Sequence, residues 1–207
     1  MIRIALFGAG GHLKVVYECI KSSTNFDIDI YDSEKKDIKI GKKKILIKGN
    51  FVKLLKNRHL YSNIFISIGN NKIRKSYFEK IDELKKISKS IHHLSSVISP
   101  SAKIGRGTII MANSVVQSDT DIRENCIINT SVSVDHDCKI MKHSHLCPGV
   151  NIAGGVTVGK NTWIGIGSKI IENIKIGNNV FIAAGSVVTR DVKSNSFVKG
   201  VPAKNAE

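Results

Sequence analysis

No apolar run in the 207 residues reaches membrane-spanning length, so a membrane-embedded fold is not expected. The opening MIRIALFGAGG reads as a strand entering a turn rather than as a signal peptide. Cysteine is scarce: Cys19, Cys126, Cys138 and Cys147 show no CxxC spacing and no dense framework. That excludes a disulfide scaffold and suits reduced, packed thiols in a cytoplasmic protein. Aromatic residues make up only 6% of the chain, against a net charge of +15. Residues 1–97 hold 20 Lys and Arg and 9 Asp and Glu, so most of the excess lies in the first half. Nucleic-acid binding would call for a basic stripe with interleaved aromatics or a reader motif, and neither is present. The charge reads as a lysine-rich solvated surface or as a field that attracts a phosphate-bearing substrate. A hydrophobic share of 42% and a charged share of 24% belong to a globular chain with room for one large or two small domains.

The abundant feature is a repeat. From Ile98 to Val188 every sixth residue is aliphatic, without a slip, and four residues after each stands a small or β-branched side chain. A helix repeats at 3.6 and a strand at two, so neither accounts for a step of six. Stacked coils of a parallel β-helix do: each hexapeptide supplies one short strand and one turn, with the aliphatic residue pointing inward. The small partner fits the corner, and Gly or Asn recurs where turns need positive φ, as at Gly107, Asn113, Asn161 and Gly167. Sixteen units at three per coil predict about five coils, with His92 to Pro100 as the linker leading in. Such a repeat establishes architecture and says nothing by itself about chemistry.

The first half reads as α/β. Residues 2–8 form a buried strand, Gly8-Ala9-Gly10-Gly11-His12 a glycine turn, and Leu13, Val16, Cys19 and Ile20 the apolar face of a helix. A second strand, Phe26 to Tyr31, ends at Asp32, close to where a dinucleotide fold places its ribose-binding acid. The dinucleotide fingerprint needs glycine where Leu13 stands, and no complete second half follows, so NAD is disfavoured. Further strands are expected at Ile45-Lys48 and Asn63-Ile68, with helices near 50–57 and 70–87. Ligands of open α/β sheets bind at the carboxyl ends of strands. Gly10, Gly11, His12, Asp32, Gly69 and Asn70 are expected to gather there, with Arg74 on the following helix.

Units such as IGRGTI, VGKNTW, IGIGSK and IGNNVF, closing with GVPAK at 200–204, resemble the hexapeptide-repeat acyltransferases. GAGGH at 8–12, IGNN at 68–71 with Arg74, and DHDCKI…HSH at 135–145 narrow the resemblance over essentially the whole chain. It is to the sugar acetyltransferases that include UDP-4-amino-sugar N-acetyltransferases and sialic acid O-acetyltransferases of bacterial glycan pathways. The resemblance implies an α/β truncated Rossmann-like domain over 1–92 that holds a nucleotide-linked amino sugar. It implies an all-β left-handed parallel β-helix over 93–207 that binds acetyl-CoA and trimerises, with active sites between subunits. The left hand comes from the resemblance alone, since parallel crossovers are generally right-handed.

It also implies roles for particular residues. His136 would be the general base toward the acceptor, and Asp137 would orient its imidazole. Some relatives carry Glu at that position, so the shorter Asp leaves the geometry open. His145 would contact the acetyl end of the cofactor, whereas His143 has no counterpart and defaults to the surface. Pantetheine would run along Gly154-Gly155, Gly165-Ile166-Gly167 and Ala184-Gly185, though each of those glycines is equally an ordinary turn residue. Charge and position alone, not the resemblance, point to Lys199 and Lys204 for the CoA phosphates. Neither His136 nor His145 falls on an inward position, so both are expected on the surface of the prism. A zinc site of His136, His143, His145 and Cys147 has the right ligand types but no matching spacing, and no metal is expected. Cys126 and Cys138 fall at small corner positions, so direct transfer is expected rather than an acyl-cysteine. The alternatives are a hydroxyl acceptor on a sialic-acid-like sugar and a non-catalytic nucleotide-sugar-binding trimer.

Overall fold

The computed structural model describes residues 2–87 and 89–206. It divides into two compact units, Met1–Lys89 and Ser90–Glu207.

Unit 1 contains a three-stranded parallel sheet in the order β2-β1-β5, from β1 (Arg3–Phe7), β2 (Asp27–Tyr31) and β5 (Asn63–Ile66). Leu6 lies between Ile30 and Phe65, and a central strand with both neighbours buried needs an unbroken apolar run, which Ile4-Ala5-Leu6-Phe7 supplies. Helix α1 (Gly11–Ser23) buries Leu13, Val16, Cys19 and Ile20, the face expected from their spacing. Helices α2 (Phe51–Lys56) and α3 (Asn71–Asp82) begin at asparagine caps, Asn50 accepting from the Lys53 N–H at 3.0 Å and Asn70 from the Ile73 N–H at 3.1 Å.

Two expectations need correction. The strand expected at Ile45-Lys48 lies two residues earlier: β4 (Lys43–Leu46) pairs with β3 (Asp37–Ile40), for which no strand was expected, in a separate antiparallel hairpin turning at Gly41, whose φ is +55°. Helix α3 stops at Asp82 rather than near 87, and Ile87 returns into the core.

Unit 2 is the β-helix, of about six turns and left-handed. Three sheets of parallel strands run along it, and strands pair with the strand 18 residues on, as Val116 with Val134 and Ile122 with Ile140, until the last coil, where Ile182 pairs with Val198. The inward column includes Ile110, Ile128, Leu146, Ile164 and Ile182, each fully buried and each stabilising the stack by about 1.5–3 kcal/mol.

The small corner positions have a second role. Their hydroxyls donate to a carbonyl 15 residues on: Thr108 to Arg123 at 2.7 Å, Ser144 to Gly159 at 2.8 Å, Thr162 to Gly177 at 2.9 Å. Cys126 and Cys138 donate in the same way through sulfur, at 3.3 and 3.2 Å to Met141 and Ala153. One residue before each corner, from Gly107 to Gly185, every sixth residue has positive φ and is Gly, Asn, Asp, Ser or His.

The linker expected over His92 to Pro100 is instead part of the solenoid. Ile91–His92 pairs in parallel with Ile109–Ile110, and Val97–Ile98 with Val115–Val116. His92 occupies the step of six where every later unit has an aliphatic residue, which hid the first coil and made five coils of six.

Thr162→Val keeps the corner's shape but removes the bond to Gly177 and the bond accepted from the Val180 N–H at 3.2 Å. The expected loss is about 1–3 kcal/mol, read as a lower midpoint in denaturant unfolding followed by circular dichroism.

Candidate active site

Within unit 1 the carboxyl ends of β1, β2 and β5 bring the expected residues together. Asp32 accepts from the Ala9 N–H at 2.7 Å through Oδ2, and from the Glu34 and Lys35 N–H groups at 2.9 and 3.0 Å through Oδ1. Lys35 Nζ returns a bond to the Ala9 carbonyl at 2.8 Å. Partial burial pushes the Asp32 pKa up, but the three amides and the Lys35 charge outweigh it and hold the carboxyl below its ordinary value. Asp32 therefore fixes the glycine turn to the loop after β2. Ser67, which sequence reasoning missed, does the same from β5, donating to Phe7 and Gly8 carbonyls at 3.0 and 2.7 Å.

Arg74 is buried, and its guanidinium donates to the carbonyls of Gly69 at 2.8 Å and Ile68 at 3.3 Å and to Asn71 Oδ1 at 2.9 Å. It shapes the IGNN turn, whose Asn70 side chain caps α3. His12 stands beside this turn, and burial followed by the Arg74 charge lowers its pKa to about 4, so it is neutral at pH 7. Gly10 and Gly11 leave open space where a Cβ would stand. The result is an open glycine turn at a helix N-terminus, flanked by a neutral imidazole and a buried cation, suited to an anionic or polar ligand.

Within unit 2, His136 and Asp137 occupy the turn after the strand Ser133–Val134. Asp137 adopts a φ of +58°, and its Oδ2 lies 2.8 Å from His136 Nδ1, so the shorter side chain does reach the ring. Asp135 Oδ1 accepts from the His136 N–H at 2.8 Å. The imidazole is solvent-exposed, and its pKa is raised by the hydrogen bond to Asp137 and then by the Asp135 charge. Asp137 bound at Nδ1 leaves Nε2 as the basic nitrogen of an exposed ring. A groove of about 490 Å³ opens beside this turn, lined by Asp135 with Ser133, Asn151, Ala153, Lys169 and Ile171.

His143 and His145 are not surface groups. His143 is buried at a positive-φ corner, with Nδ1 2.8 Å from the Asn125 amide one coil below. His145 is 4% exposed, its Nε2 3.1 Å from Asn129 Nδ2 and its ring edge-to-face with Trp163 at 4.4 Å. Both point outward from the hexapeptide core as expected; neighbouring rungs cover them, and the period of six carries no information about what stands one coil away. Among the described residues no three His, Cys, Asp or Glu side chains form a metal-binding group. Burial raises the Cys138 thiol to about 11 and Cys147 to about 12, which keeps both protonated.

The remaining expected positions are scattered along the later coils. Ile166 is exposed at 57%, Gly155, Gly167 and Gly185 take positive-φ corners, and Ala184 precedes the last of these. Lys204 pairs across from Lys199 in a short hairpin and lines a cavity of about 320 Å³ with Arg190 and Lys193. Gly154 lies directly under the His136 ring: a Cβ there would come within 2.6 Å of Cε1 and Nε2.

Residues 3–81 match the PglD N-terminal domain, and residues 155–190 match the bacterial transferase hexapeptide family of six repeats. UDP-N-acetylbacillosamine N-acetyltransferase of Bacillus subtilis (strain 168) is 33% identical over 115 residues, 54% of this chain. The match spans about half of that relative, 52% of its length. A histidine variant of perosamine N-acetyltransferase from Caulobacter crescentus, in complex with CoA and GDP-perosamine, superposes with a TM-score of 0.92 at 32% identity. That match covers 99% of this chain and 96% of the other. The acetyltransferase domain of PglB from Neisseria gonorrhoeae FA1090 gives 0.93 at 31% identity with 100% of both chains covered, and is also known in complex with acetyl coenzyme A. With near-complete coverage at this identity, and with family models matching most of unit 1 and residues 155–190 of unit 2, the chain belongs to the hexapeptide-repeat sugar acetyltransferase family.

Proposed function

We propose that this chain transfers acetyl from acetyl-CoA to the amino group of a nucleotide-linked 4-amino-4,6-dideoxy sugar. The observation that carries the proposal is the exposed His136 bound through Nδ1 to Asp137. The relatives support the substrate class, since one is in complex with CoA and GDP-perosamine and another is named for acetylating UDP-N-acetylbacillosamine. Unit 1 would hold the nucleotide portion at the Gly10-Gly11-His12 turn and the Gly69-Asn70 turn, with Asp32 and Arg74 keeping both turns in shape.

In the proposed step the amine lone pair attacks the thioester carbonyl and forms the new C–N bond. His136 Nε2 takes the proton from the amine as the tetrahedral adduct forms. Asp137 stabilises the resulting imidazolium. The adduct collapses with cleavage of the C–S bond, and the CoA thiolate leaves and recovers a proton. No thiol of the chain enters, because Cys138 stays protonated inside the coil. His145, held by Asn129 and Trp163, would meet the acetyl end, and Gly155, Ile166, Gly167, Ala184, Gly185 and Lys204 would lie along the cofactor. We further propose unit 1 as the nucleotide-sugar domain and unit 2 as the acetyl-CoA and trimerisation domain, so that the expected boundary at 92/93 moves to 89/90, and a homotrimer in the cytoplasm. No helix among the described residues is long and apolar enough to cross a membrane.

Release of CoA thiol, followed with acetyl-CoA and UDP-, GDP- and dTDP-linked 4-amino sugars, tests the reaction. Turnover on an amino sugar should fall about 10²- to 10⁴-fold in His136→Ala, the range for a lost general base. Turnover that survives this change sinks the role of His136, and turnover only on sialic-acid-type hydroxyls replaces the acceptor.

The pH profile gives an independent check. A raised His136 pKa favours the charged ring, so the active neutral form is lost as pH falls through that raised value. Asp137→Asn removes the leading cause of the elevation. The acid limb of kcat/KM should therefore move to lower pH, while the plateau drops by about 10- to 100-fold because the base is weaker and less well oriented.

A further inference from the structure

Glycines in the coils of unit 2 fall into different physical situations. At Gly105, a Cβ would stand 2.5 Å from backbone atoms of Arg123 and Glu124. Gly159, Gly165 and Gly177 are likewise closed in by the backbone of the next coil, Gly159 by the Gly177 carbonyl. Those positions are bare because coils stack at van der Waals distance there. Gly154 differs: the atoms its Cβ would meet are Cε1 and Nε2 of His136 at 2.6 Å and Nδ1 at 3.2 Å, all in one exposed ring. Its φ is not in the left-handed region, so no backbone requirement selects glycine.

We propose that Gly154 is a positioning residue for His136: its missing side chain is the seat that lets the imidazole lie against the next coil while Nδ1 stays on Asp137. The main chain supports the same arrangement, because the Gly155 N–H donates to the His136 carbonyl at 2.9 Å and the Asn173 N–H to the Gly154 carbonyl at 2.9 Å. Asp135 holds the His136 amide from the other side. The ring is thus fixed at three points, through Nδ1, through its backbone and through the surface it rests on. Any side chain at 154 leaves the backbone bonds in place and evicts the ring from its seat, which draws Nδ1 away from Asp137. An exposed imidazole can swing away at little conformational expense, so the fold survives while the geometry of the base does not. This inference rests on reading His136 as the general base.

The test is Gly154→Ala, beside Gly159→Ala as the backbone-contact comparison. Gly154→Ala should melt within about 2 °C of the parent, whereas Gly159→Ala should melt several degrees lower. In ¹³C-histidine NMR, the His136 titration should fall toward the ordinary histidine value as the bond to Asp137 loosens. With a sugar acceptor, kcat should fall about 10- to 100-fold with the KM for acetyl-CoA nearly unchanged. A His136 titration indistinguishable from the parent overturns the proposal. A shifted titration with undiminished turnover upholds the seat and instead fells the general-base assignment, so the two failures are separable. If Gly154→Ala proves unstable, the change is repeated in a His136→Ala background. Melting restored by removal of the ring supports the contact, and an unrelieved loss overturns it.

Discussion

Residue i lies beside residue i+18 through the β-helix until the last coil, where the step shortens to 16 as at Ile182 and Val198, and almost everything in unit 2 depends on that register. Aliphatic side chains stack on themselves along the inside, so each coil supplies the apolar floor of the next. Corner hydroxyls and thiols reach a carbonyl 15 residues on because the coil above is always in the same place. Positive-φ residues come at every sixth position for the same reason, since each hexapeptide must make the same bend. A substitution at any one position is therefore felt by the coils above and below it.

The catalytic candidates exploit these regularities. Asp137 stands at a bend that tolerates Asp, and the bend aims its carboxylate back at the preceding ring. His136 follows the strand on the outer side of that bend, and Gly154 is the residue one coil on. Asn125 and His143 also stand one coil apart, and His145 and Trp163 do the same on the outer face. Polar function on a solenoid is thus assembled from columns, with one member from each turn. Unit 1 uses a different device: Asp32 accepts from backbone N–H groups and Arg74 donates to backbone carbonyls, so these two side chains hold the shape of two short turns.

A period of six over sixteen hexapeptides was enough to read the β-helix, because no other regular structure repeats at that step. The strand–glycine turn–helix start was readable as well, since Leu13, Val16, Cys19 and Ile20 mark one helix face. The first coil escaped because His92 stands where an aliphatic residue was required. The β3–β4 hairpin escaped because four-residue strands rich in lysine carry little pattern. His143 and His145 were misplaced for a different reason: their burial is set by Asn125, Asn129 and Trp163, sixteen to eighteen residues away in sequence.

What the sequence by itself determined is the local and periodic part: which residues face inward, where the corners bend, and that His136 and Asp137 are adjacent at one of them. Those follow from side-chain size and backbone freedom acting within a single hexapeptide. What only the tertiary structure decided is the lateral part. It set Gly154 under the imidazole and closed a wall around His145. It also gave Asp32 and Arg74 the backbone partners through which they support the two turns of unit 1. These depend on which coils and loops become neighbours in space, and a pattern read along the chain does not contain the distance between them.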